Sequence, residues 1–110
     1  MPVWKTRTVD EEPVIRLQRW RILRTDVGSE HFVGFHRDGW SGRVSSDIEQ
    51  LHPAARRGVT STGRIYVLDG PSAWHTQAEY VWKRWCLVNH ILEYQDVTLA
   101  LIPDAESDQH

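Results

Sequence analysis

Val14-Ile-Arg-Leu-Gln-Arg-Trp-Arg-Ile-Leu-Arg24 alternates apolar and polar residues at both ends, but the two ends are out of phase. Ile15 and Leu17 share one parity, whereas Trp20 and Ile22 share the other. Successive side chains of a strand point to opposite faces, so a slip of one residue moves an apolar set from core to solvent. One extra residue at Gln18-Arg19, a β-bulge, returns all four to one side. Arg16, Arg19 and Arg21 then point the other way. The stretch predicts a long bulged strand with one apolar face and one arginine-bearing face.

Working outward, Thr25-Asp-Val-Gly-Ser-Glu30 has turn composition, and His31-Phe-Val-Gly-Phe-His36 returns as the second strand of a hairpin. Arg37-Asp-Gly-Trp-Ser-Gly42 reads as a turn with Trp40 at its tip, followed by a short strand at Arg43–Ser46. Asp47 to Gly58 is the least regular part, with Ile48 and Leu51 as apolar anchors and Ala54–Gly58 as a surface loop. Val59–Leu68 is β-branched and aromatic, with Gly63 marking a bulge or tight turn.

Residues 72–92 predict the one long helix. Thr76-Gln-Ala-Glu79 has the form of a capping box ahead of an apolar run. Ala78, Val81, Trp82, Trp85, Val88 and Leu92 recur at three- and four-residue steps. Tyr80, Leu87 and Ile91 add a second line, which predicts a wide buried arc. Asp96–Ile102 is almost continuously apolar and reads as a final, central strand, closed by Pro103. The expected fold class is α+β: a strongly bent, mostly antiparallel sheet of about five or six strands, with one helix of the C-terminal half packed on it. An SH3-like or partly open barrel is the alternative closure. The expected organisation is a flexible arm over 1–13, a single domain over 14–102 and an acidic tail over 103–110.

The totals fit this. A chain of 110 residues is enough for one core without staples, and the single Cys86 excludes an intrachain disulfide framework and a cysteine-based structural zinc site. No run is long enough for a transmembrane helix, and the opening Met1-Pro-Val-Trp-Lys-Thr-Arg7 lacks the apolar stretch of a secretory signal, so the cytoplasm is the expected compartment. Net charge is −2, yet residues 14–102 hold eleven Lys/Arg against nine Asp/Glu, so the body is cationic and the ends are acidic. Arginine outnumbers lysine eleven to two, and arginine alone pairs bidentately and stacks on aromatics. Six tryptophans stand at 4, 20, 40, 74, 82 and 85. Trp20, Trp82 and Trp85 fall on apolar faces and predict core. Trp74 and Trp4 predict covers, and Trp40 predicts either a lid or an exposed anchor.

Four stretches resemble a group of short, uncharacterised proteobacterial proteins. They are Arg43-Val-Ser-Ser46-x-Ile48, Thr62-Gly-Arg-Ile-Tyr66-x-Leu68-x-Gly70-Pro71, Ala78-x-Tyr80-Val-Trp82-x-x-Trp85 and Asp96-Val-Thr98. The resemblance covers roughly the second half of the chain. It implies a bacterial cytoplasmic protein from a phage-derived or mobile segment, and it brings no activity, cofactor or catalytic residue.

No motif for chemistry stands out. The six histidines form no metal-binding spacing, and Cys86 with His90 supplies two ligands where zinc takes three or four. Serines and threonines lie in strands and turns without a nucleophile elbow. The expectation is a small non-enzymatic protein, without cofactor or metal, that acts by binding another macromolecule. A protein partner comes first, for a regulator or inhibitor carried by a mobile element. A nucleic-acid-binding module on the same face is the alternative, and an enzyme with an unrecognised histidine base is the third reading. The expected contact residues are Arg16, Arg19, Arg21, Trp40, Arg56 and Arg57. No membrane partner is expected, and the Trp4 arm offers a route to a homodimer.

Overall fold

β1, Val14–Thr25, is the spine of the sheet in the computed structural model, which describes residues 9–107. The hairpin partner β2 is Glu30–His36, and β3, Ser41–Val44, pairs beyond it. On the other side lie β6 (Ile65–Asp69), β5 (Arg57–Thr60) and β4 (Ile48–His52), giving the order β3-β2-β1-β6-β5-β4. β7, Tyr94–Asp96, pairs with the C-terminal part of β1. The sheet is bent and mostly antiparallel, the exception being β1 with β6, and it does not close into a barrel. The SH3-like alternative is thus not adopted. The tight turn at Gly63, with φ of 86°, separates β5 from β6.

The bulge is where the sequence places it. The β1–β2 register advances three residues on β1, from Gln18 to Arg21, for two on β2, from Phe35 to Val33, and Arg19 takes a φ of 47°. Ile15, Leu17, Trp20 and Ile22 are all fully buried on one face, with Phe32, Tyr66, Leu68, Val97, Ile102 and Ala105. Burying a side chain of this size is worth about 1.5–3 kcal/mol, so phasing four of them together outweighs the ~1–2 kcal/mol that one left-handed residue costs.

The opposite face is covered by α1, Thr76–Val88, which lies over β2 and β3. Leu23, Val33, Ala78, Trp82 and Cys86 form this second core, and Trp85 stacks on Trp82 at 5.2 Å. Two corrections concern this helix. Its N-cap is His75 rather than Thr76: the His75 ring stacks on Phe35 at 4.3 Å, and its Nδ1 accepts from Gln77 N–H at 3.1 Å. The helix also stops at Val88. His90 takes a left-handed φ of 58°, and the N–H groups of His90 and Ile91 return to the Leu87 and Cys86 carbonyls, the double bond pattern that ends helices. The buried arc is therefore narrow, and Tyr80, Leu87, Val88 and Leu92 are exposed.

The expected strand over Asp96–Ile102 is also corrected. The Asp96 carboxylate accepts from Thr98 N–H (2.9 Å) and Thr98 Oγ1–H (2.6 Å), and Thr98 Oγ1 accepts from Ile22 N–H at 2.9 Å. The chain thereby leaves the sheet and forms the short helix α2, Thr98–Leu101. Val97, Thr98, Ile102 and Ala105 are buried at helical spacing against the first core. Residues beyond Pro103 are likewise tied in: Ser72 N–H donates to the Ala105 carbonyl. At the other end, Glu12 lies 3.4 Å from His36, and its carbonyl accepts from Arg64 Nε–H. The rest of the expected arm, with Trp4 and the homodimer contact assigned to it, and the tail after Ser107 lie outside the described residues.

Candidate functional site

Because α1 lies over β2 and β3, no helix among the described residues covers the same face of the sheet over β6, β5 and β4. The pairing registers put Arg16, Val67, Arg57 and His52 in one row across four strands, with Val14, Ile65, Val59 and Gln50 in the next. Arg16, Arg57, His52, Gln50 and Val14 are exposed, and Ile65, Val67 and Val59 are half-buried. The result is a shallow apolar strip bordered by cations. Arg16 Nη1 lies 3.5 Å from Asp69 Oδ1, an exposed pair of the kind worth about 0–1 kcal/mol. Both groups therefore remain available to a ligand. With Gln18, Arg37 and Asp38 they line an open cleft of about 350 Å³.

Arg37 and Asp38 belong to the β2–β3 turn, and Trp40 closes that turn. Trp40 N–H donates to the Arg37 carbonyl at 3.1 Å, which holds the turn together. Trp40 has a φ of 51° and is 76% exposed, touching the protein through an edge-on contact with Phe35 at 6.1 Å between ring centres. A bulky residue in the left-handed region is uncommon and strained. The strain is held from the next strand: Gly42 lies so close to α1 that a Cβ there would fall 2.4 Å from the Gln77 carbonyl oxygen.

The six residues singled out by sequence divide. Arg16 and Arg57 share the open row, and Trp40 stands on the turn that shares a cleft with Arg16. Arg19 is exposed at the bulge. Arg21 and Arg56 do not join them. Arg21 is 3.2 Å from Asp96 and 5.5 Å from the Trp74 ring, so it is consumed within the fold. Arg56, expected in a surface loop, is buried: its Nη1 and Nη2 donate to the Gly70 and Asp104 carbonyls, and the guanidinium covers Trp20 at 5.8 Å. A left-handed φ of 51° after the 3-10 turn Pro53–Ala55 turns Arg56 inward while Arg57 begins β5 facing out.

Sequence reasoning missed Arg37, Asp38, Asp69 and the half-buried valines of the strip. Asp69 sits in a Gly-Pro turn signal and Arg37-Asp38 in another, so their composition pointed to turns. Only the parallel β1–β6 pairing brings the two turns together.

His52 stands exposed in the open row, whereas His31 is held by the fold. His31 is buried beside Trp85 at 4.5 Å; its Nδ1 donates to the Ser45 carbonyl and its Nε2 accepts from the Ser29 hydroxyl, each at 2.8 Å. Burial pushes the Cys86 thiol up, and the Asp26 carboxylate adds to the shift, which keeps the sulfur in its unreactive protonated form. Among the described residues no three His, Cys, Asp or Glu side chains gather at a spacing that could hold a metal ion, and no helix is long and apolar enough to cross a membrane. Comparison with protein-family models, with curated proteins and with solved structures finds no match to this chain.

Proposed function

We propose that this is a small cytoplasmic binding protein, not an enzyme, whose partner is another protein. Its contact surface runs from Trp40 through the Arg16–Arg37 cleft to Arg57, with Arg19 at its margin. The observation that carries the reading is Trp40, an indole held out to solvent in a strained backbone conformation. Exposed tryptophan flanked by arginine is the composition most enriched among residues that dominate binding energy. A regulator or inhibitor, of bacterial mobile-element origin as the sequence resemblance implies, fits this description. Asp38 and Asp69 in the cleft favour a protein over a polyphosphate chain, because two carboxylates beside the arginines repel phosphate and suit the mixed charges of a protein surface.

The test is affinity capture from a bacterial lysate by the wild-type chain, Trp40→Ala and Arg16→Ala/Arg57→Ala side by side. All three positions are exposed, so each variant should unfold within about 0.5 kcal/mol of wild type. The reading expects a protein captured by wild type and lost by both variants. Equal capture by all three rejects this surface. Binding to a mixed oligonucleotide pool at low salt that weakens steeply as salt rises would replace the protein reading with nucleic acid.

A further inference from the structure

His75 caps α1 with a nitrogen. Its Nδ1 accepts from Gln77 N–H at 3.1 Å, and its carbonyl accepts from Glu79 N–H at 2.8 Å. The usual capping side chains are serine, threonine, asparagine and aspartate, whose oxygens accept at any pH near neutrality. An imidazole accepts only while Nδ1 is bare. A second proton makes both ring nitrogens donors, and imidazoles take it up between about pH 8 and 5. The charged ring then turns an N–H toward the Gln77 N–H and sets a cation at the positive end of the helix dipole. The ring of the unfolded chain takes the proton at no such cost, so stability is lost as pH falls.

No ion pair offsets that charge among the described residues. On α1 the acidic side chain of the first turn is Glu79, which is exposed. On β2, His36 points to the face opposite Phe35, where Glu12 lies 3.4 Å away. On β3, Arg43 donates to the Tyr66 hydroxyl. The β2–β3 turn carries one charge of each sign, Arg37 and Asp38, and on β1 Arg21 is held by Asp96 and Trp74.

The capped turn also supports the turn that carries Trp40. The His75 ring stacks on Phe35 at 4.3 Å with 20° between the planes, and Phe35 is the ring that Trp40 touches. Gly42, paired with Phe35, lies against the Gln77 and Ala78 backbone two residues after Trp40. The helical turn fastened by the cap thus braces β3 where it leaves the strained turn.

We infer that His75 is a proton-sensitive latch. Neutral, it fastens the first turn of α1 and, through Phe35 and Gly42, the Trp40 turn; charged, it releases both. That acid thereby loosens the contact surface rests on the proposed role of Trp40, whereas the latch itself does not.

The experiment is urea unfolding of the full chain at pH 8 and pH 5, for wild type, His75→Asn and His75→Ser, the last two being caps without a titrating group. The ratio of the wild-type folding constant to that of either variant cancels the titrations common to both chains, His36 included. That ratio is expected to fall roughly fivefold from pH 8 to pH 5, the loss of one N-cap. In the same samples the heteronuclear NOE of the Trp40 indole should drop on acidification in wild type and stay level in both variants. A ratio that is unchanged or rises overturns the latch, since an imidazolium that merely stacks on Phe35 gives that result. An indole NOE that stays level in wild type, or drops equally in the variants, overturns the link to the Trp40 turn. No partner is used, so failure here leaves the contact surface to the capture experiment, and equal capture there leaves the latch standing.

Discussion

Trp20 and Arg56 meet on one acceptor: the Gly70 carbonyl takes Trp20 Nε1–H at 3.0 Å and Arg56 Nη1–H at 3.1 Å, with the guanidinium lying 5.8 Å from the indole centre. Arg56→Ala removes one of the two donors to the Gly70 carbonyl and the Arg56 donor to the Asp104 carbonyl, and it opens a space over the indole. The expected loss is about 2–4 kcal/mol, against no more than ~0.5 kcal/mol for the exposed neighbour Arg57→Ala. Urea denaturation of both variants measures the difference. Equal losses would show that Arg56 is not a structural residue.

Deleting Arg19 should preserve the fold. Gln18 then precedes Trp20 directly, so Ile15, Leu17, Trp20 and Ile22 alternate regularly, and the pairings Gln18–Phe35 and Arg21–Val33 survive with Gly34 between them. The cost should stay within about 2 kcal/mol, since a left-handed residue is relieved while local twist is lost. Deleting Arg16 instead throws Ile15 out of phase with the other three and should cost more. Thermal midpoints of the two deletions decide it. The reverse order would show that the bulge, not the phase, is what β1 requires.

Gly42→Ala tests how α1 meets the sheet. The added Cβ would fall 2.4 Å from the Gln77 carbonyl oxygen and 2.7 Å from Ala78 Cα, both backbone atoms that cannot rotate away. Overpacking of this kind costs about 1–3 kcal/mol. Because the same contact braces the Trp40 turn, the variant should also broaden or shift the Trp40 indole resonance. A fully stable variant would mean that the helix slides over β3 without penalty.

Cys86 gives the pH dependence a sign. Its thiol is raised above its ordinary 9.0 by burial, with Asp26 adding to the effect. The folded chain therefore holds that proton more tightly than the unfolded chain. The associated stability is complete below pH 9 and is lost as pH rises through the folded-state value. Wild type should lose stability in this alkaline window relative to Cys86→Ala, and the two curves should run parallel at neutral pH. Chemical denaturation in matched buffers from neutral to alkaline pH checks this; parallel curves throughout would contradict it.

Elements that announce themselves locally were readable. The phase break between Leu17 and Trp20 placed the bulge at Gln18-Arg19, since one extra residue there reunites four apolar side chains, and the left-handed φ of Arg19 identifies which residue it is. The helix was evident from Ala78, Trp82 and Trp85, but its limits were not. His75 displaces Thr76 as cap because its ring has Phe35 to stack on, and His90 ends the helix with a left-handed turn usually left to glycine. Val97, Thr98, Ile102 and Ala105 stand at helical spacing, a signal overlooked because short apolar runs fit strand and buried helix alike. Of the proposed surface, Arg16, Arg57 and Trp40 were visible as residues. Arg37, Asp38 and Asp69 were not, because their turns meet only across strands distant in the chain.

The sequence alone determined which residues must be inside: periodicity and phase dictate the apolar face of β1 and the Ala78–Trp82 stripe, whatever the final topology. It could not determine the fate of individual arginines, because an arginine in a loop looks the same whether it faces water or a carbonyl. Only the tertiary structure turned Arg56 onto Trp20 and Gly70 and Arg21 onto Trp74 and Asp96 while leaving Arg16 and Arg57 outside. The physical reason is range. Burial patterns are written in neighbouring residues, whereas a guanidinium is satisfied by whichever acceptors the fold brings within reach, and here those come from segments as many as 75 residues away, as with Arg21 and Asp96 at 3.2 Å.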